Sequence, residues 1–132
     1  MNRFGRWLAT LLVSMCVVGT SSPFFAQTPA FNRVMRAKLE HSQKILESVV
    51  TSDWAALERH SQELQRLTSD PAWTVLKTRE YTRHSEAFVR ATEDLIDAAK
   101  RRDLETSPLA YVSMTMSCVQ CHRYVARARI AK

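Results

Sequence analysis

Beyond Gly19 the chain contains no glycine. Over that whole stretch no residue takes up positive φ without steric cost, so the tight primed turns of hairpin-rich β folds are disfavoured. The same absence excludes glycine-dependent phosphate cradles and dinucleotide fingerprints. The four prolines, Pro23, Pro29, Pro71 and Pro108, all sit at the edges of periodic segments. A proline is compatible with a helix start and not with a helix interior. The chain therefore reads as all-α.

Four amphipathic segments lie between these edges. The first covers roughly 30–50, with an apolar seam of Met35, Leu39, Ser42, Leu46 and Val49 at alternating steps of four and three. The second covers roughly 53–68, entered through the N-cap types Thr51-Ser52-Asp53, with Trp54, Leu57, Ser61, Leu64 and Thr68 on its seam. The third lies within 71–101, where Asp70-Pro71 offers a cap followed by proline at the first helical position. Its seam is Tyr81, His84, Phe88, Ala91, Leu95 and Ala98, and Trp73–Thr78 breaks the register as a separate turn. The fourth covers roughly 108–130, opened by Ser107-Pro108. One seam there is Leu109, Val112, Met116 and Val119, and a second is Thr115, Cys118, His122 and Val125. His41 and His60 fall beside the seams and are expected to face solvent, and Trp54 and Trp73 are expected to cap the core. Short connections between four helices imply an antiparallel up-down-up-down four-helix bundle.

The first 26 residues read as a secretory signal. Arg3 and Arg6 precede the apolar run Trp7–Gly19, and small or polar residues follow. The run is short for a spanning helix, which needs about 20 residues. The expectation is an exported, periplasmic domain over 27–132, tethered to a membrane only if the leader is uncleaved. All 13 acidic and 17 of the 19 basic residues follow the leader, leaving a mild net charge of +4. That excess, in an exported protein, does not point to nucleic acid. Cys16 lies in the leader, so one pair, Cys118 and Cys121, remains for an oxidising compartment.

Cys118-Val119-Gln120-Cys121-His122 has the C-x-x-C-H spacing of covalent c-type haem attachment. Two thiols reach the two vinyl groups of one porphyrin as thioethers, and the adjacent imidazole lies over the iron. On a helix Cys118 and His122 share a face and Cys121 flanks them. A thioredoxin-like site wants a preceding strand, and none is visible. Half a zinc site wants two more ligands, and His41, His60 and His84 are not at finger spacing. A disulfide within one helix is awkward, because Cβ atoms three apart are about 5–6 Å apart against the ~3.8 Å a disulfide needs.

With this motif on the last of four helices, the chain resembles the class II cytochromes c, cytochrome c-prime and its six-coordinate relatives. In sequence the resemblance is specific at Cys118, Cys121 and His122. Members often carry Tyr-Arg three and four residues after the histidine, whereas here Tyr124 stands two after and Val125 three after. The resemblance implies one covalent haem c near the C-terminal end of the last helix, and a homodimer.

With the haem there, it lies beside the starts of the first and third helices. Met35, on the first seam, is the expected distal iron ligand, matching the position of the axial methionine in the six-coordinate relatives, and a thioether raises the potential. His84 is its competitor. Arg33 and Arg36, at the same end, are expected to pair with haem propionates. Arg123, Arg127, Arg129 and Lys132 form a basic tail that suits an acidic redox partner. The expected function is single-electron transfer between redox partner proteins, without enzymatic chemistry. The alternative is a five-coordinate binder of nitric oxide or carbon monoxide, and a third reading is a structural bundle without haem.

Overall fold

The computed structural model describes residues 28–130. The expected leader, Cys16 and Lys132 lie outside the described residues. Four α-helices, α1 (Pro29–Thr51), α2 (Trp54–Leu67), α3 (Arg79–Arg101) and α4 (Thr106–Ile130), account for most of the chain, with a 3-10 turn over Pro71–Trp73 before α3. Among the described residues there is no strand. The arrangement is consistent with a helical bundle. No described helix is long and apolar enough to cross a membrane.

Each helix start is set by a short polar side chain. Thr28 Oγ1 accepts from the Phe31 amide at 3.2 Å, Asp53 Oδ1 from Ala56 at 3.0 Å, and Thr78 Oγ1 from Tyr81 at 3.2 Å. These bonds satisfy amides that have no partner within the helix. The start of α4 differs from expectation. Asp103, not Ser107, caps it, its carboxylate accepting from the amides of Glu105 and Thr106 and from the Thr106 hydroxyl. Pro108 is the third residue of the α4 span, near its start, where a proline is tolerated better than in a helix interior.

α1 and α3 end alike. Ser52 (φ 57°) and Arg102 (φ 53°) take the left-handed conformation. The next amides, of Asp53 and Asp103, reach back to the carbonyls of Ser48 and Ala98 at 2.9 and 3.0 Å. These are Schellman closures with serine and arginine where glycine is usual. In each case the following aspartate caps the next helix, so one helix ends and the next begins within a few residues.

The core is built from Val34 and Ile45 of α1, Leu57 and Leu64 of α2, Phe88 and Leu95 of α3, and Met114 of α4, joined by Trp73 and Tyr81. The seams read for α2 and α3 are the ones that pack inward. Those read for α1 and α4 require correction. On α1 the buried residues are Val34, Lys38, Ile45 and Ser48, while Leu39 is 60% and Leu46 45% exposed. On α4 the inward side carries Ser107, Ala110, Met114 and Ser117, and Leu109, Val112, Met116 and Val119 lie on the surface. Of the second α4 seam, Cys118 and Val125 are half-buried, and Thr115 and His122 are exposed. The most extensive packing joins α3 to α4, α1 to α2 and α2 to α3, whereas α1 meets α4 sparingly.

Candidate functional site

Trp73 anchors the floor of the site. Its indole N–H donates to Ser85 Oγ at 3.0 Å, its ring packs against Phe88 at 5.3 Å between centroids, and its carbonyl accepts the Tyr81 hydroxyl. A buried carbonyl and a buried phenol are thereby satisfied together. The turn Pro71–Trp73, itself capped by Asp70 Oδ1 on the Ala72 amide at 2.8 Å, places the indole under the start of α1.

Above this floor lies a pocket of about 290 Å³, at the lower edge of ordinary small-molecule sites. Its walls come from Phe31, Met35 and Lys38 of α1, Val75 and Tyr81, and Cys121, His122 and Val125 of α4. The first half of α1, the start of α3 and the last third of α4 thus converge on one cavity. Cys118 stands one turn before Cys121, half-buried and packed against the core. Both thiols are free, as their helical spacing requires.

Burial tunes the groups that line the pocket. It pushes the Cys121 thiol up, a shift partly opposed by the Lys38 ammonium. Partial removal of its ring from water and the same ammonium hold His122 below the ordinary histidine value, which favours the neutral imidazole. Tyr81 is raised by burial.

Lys38 is the residue that sequence reasoning missed. It is 6% exposed. Its Nζ sits 4.0 Å from the Phe88 ring centroid and 4.6 Å from that of Trp73. Among the described residues no carboxylate forms an ion pair with it. Loss of water pushes its pKa down, and the nearby sulfurs of Cys118 and Cys121 recover only part of that. Two cation–π contacts contribute about 0.5–2 kcal/mol each, against an effective desolvation cost of several kcal/mol for a buried ion. The rings alone do not balance the charge. The available signal was the spacing Val34-Lys38-Ile45, the true inward face, on which a lysine takes a core position.

The other candidates are placed as follows. Met35 lines the pocket and is half-buried. His84 does not line it. Its ring lies 5.4 Å from that of Tyr124 and its Nε2 3.5 Å from Glu80 Oε1. Arg33 is exposed and 3.5 Å from Asp70 Oδ2, and Arg36 is exposed, neither on the pocket wall. Arg123 and Arg127 are exposed on the last turns of α4. Tyr124 shares a 2.7 Å hydrogen bond with Thr78, tying α4 to the start of α3. His41 and His60 do not face solvent as expected; they are half-buried and turned toward each other.

The donor set fits covalent haem attachment. It offers two free thiols and an imidazole on one helix, two of these three on the wall of a largely apolar cavity. It does not fit a zinc site, since no group of three or more His, Cys, Asp or Glu comes together among the described residues. No family model, curated protein or solved structure matches this chain.

Proposed function

We propose that this chain is an exported mono-haem c-type cytochrome that carries single electrons between redox partner proteins. In this reading the helices run up-down-up-down and the haem is held toward the C-terminal end of α4. The observation that carries it is the placement of Cys121 and His122 on one wall of an apolar pocket, with Cys118 one turn earlier on the same helix.

A haem bound there would supply an iron that alternates between ferric and ferrous states. Cys118 and Cys121 would hold the group as thioethers, each S–H adding across a vinyl group, sulfur to one carbon and hydrogen to the other, with no outside oxidant or reductant consumed. His122 would offer a ring nitrogen to the iron. Phe31, Trp73, Val75 and Val125 would give the group apolar surroundings. Met35 and Lys38 stand on the same pocket from α1, and either would offer the iron a further side-chain ligand. Exposed Arg123 and Arg127, following His122 on α4, present positive charge that suits an acidic partner surface. The reading is that of a carrier, not an enzyme.

The test is the intact mass of the denatured protein after export from a host with haem-attachment machinery. The expected mass exceeds that of the polypeptide by about 616 Da, one covalent haem. The bare polypeptide mass overturns the proposal. The reduced absorbance spectrum then separates carrier from gas binder. A sharp α-band unmoved by carbon monoxide fits the carrier, and a spectrum that shifts with the gas fits the alternative.

A further inference from the structure

We propose that the ε-amine of Lys38, and not the thioether of Met35, is the sixth ligand that this chain gives to the iron. The inference rests on the haem reading above and deepens it. Lys38 lies on the inward face of α1, in line with Val34 and Ile45, and is almost wholly buried. Met35, one turn away in register, is only half-buried. Both line the pocket that also carries His122.

The surroundings of the Lys38 nitrogen are mostly apolar, and its polar neighbour is the Cys118 thiol, which haem attachment would turn into a thioether with no proton to exchange. The nitrogen rests against the faces of Phe88 and Trp73, which attract a cation but accept no full hydrogen bond. No carboxylate among the described residues pairs with it. A buried cation without an anion is unfavourable, and such a site either neutralises the group or coordinates a metal. Coordination does both, since a bound amine is neutral and its lone pair is used. Lys38 already lines the pocket, and its four-carbon stem is flexible, so its nitrogen is not tied to the ring faces. Nitrogen donors also suit iron, whereas the thioether is a softer ligand.

The test uses the full-length exported protein carrying its haem. Its covalent mass is measured on every sample, so loss of haem attachment, which would sink the parent reading, is seen separately. Near-infrared magnetic circular dichroism of the ferric wild type distinguishes a nitrogen from a sulfur partner to His122. The expected result is a low-spin signal with two nitrogen ligands. A sulfur-ligand signal or a high-spin signal overturns the inference. Lys38→Leu, with haem still attached, is expected to lose the low-spin signal and to gain carbon monoxide binding in the reduced state, and Met35→Leu to keep the low-spin signal and stay inert to the gas. The reverse pattern, or a Lys38→Leu protein that keeps two nitrogen ligands, overturns it. If Lys38→Leu does not fold, by far-ultraviolet circular dichroism, Lys38→Arg gives the same reading, because a guanidinium keeps the charge but has no lone pair to offer.

Discussion

The Nδ1 atoms of His41 and His60 lie 3.0 Å apart across the α1–α2 contact. At that distance one ring donates and the other accepts, so the pair shares a single proton on the facing nitrogens. Burial, then Arg59, then His41 hold His60 below its ordinary value of 6.5. The folded protein therefore binds fewer protons here than the unfolded chain. Stability from this site is fully present above the unfolded value and is lost as pH falls below it. The melting temperature is expected to decline as the pH falls from about 6.5, and His60→Gln to flatten that part of the curve. Thermal melts of the two proteins across that range check this, and an identical slope in both refutes it.

Two methionines on α4 make a sharp contrast. Met114 is 1% exposed and Met116 50%. Met114→Ala empties a packed core site and is expected to cost about 2–5 kcal/mol. Met116→Ala removes a surface side chain and should stay within about 0.5 kcal/mol of wild type. Urea midpoints decide it; equal losses would mean that the inward face of α4 is misassigned.

Arg102 holds positive φ at the end of α3, with its carbon side chain crowding the following carbonyl. Arg102→Gly removes that strain, and its backbone entropy in the unfolded state offsets part of the gain. The net expectation is a stabilisation of about 0.5–1 kcal/mol, read as a higher urea midpoint at unchanged slope. A lower midpoint would show that the arginine side chain makes a contact worth more than the strain.

The Tyr81 hydroxyl donates to the carbonyl of Trp73. Tyr81→Phe leaves that buried carbonyl without a partner, at an expected cost of about 1–3 kcal/mol. Because the same bond fixes the turn carrying the indole, the tryptophan fluorescence maximum is expected to shift to longer wavelength as well. Unchanged stability and emission would mean that the bond holds nothing in place.

The two inner helices were the easiest to read from sequence, and the reason is physical. On α3, Tyr81, Phe88, Ala91 and Leu95 form a stripe with charges on the opposite side, so apolar pattern and burial coincide. On α1 and α4 they do not. Leu39 and Leu46, and Leu109 and Val112, make the stronger apolar stripes, yet they lie on the surface. The buried faces are diluted by Lys38, Ser48, Ser107 and Ser117. A rule that sends the most apolar stripe inward selects the wrong face on both. The proposed attachment residues needed no such rule, since Cys118, Cys121 and His122 were singled out by their spacing. Met35 was singled out from its place on the first seam and from the resemblance, and it lines the pocket. Lys38 was passed over because a lysine is ordinarily assigned to solvent, and the His41–His60 pair because it arises from two helices whose mutual rotation no single segment encodes.

Because the first and last helices barely touch, nearly all packing joins neighbours along the chain. Low contact order of this kind is associated with folding in microseconds to milliseconds. The three contacts between successive helices can form in turn while the α1–α4 margin stays loosely joined. A planar guest could then slide in edgewise, like a card into a half-shut book, without first undoing a finished fold.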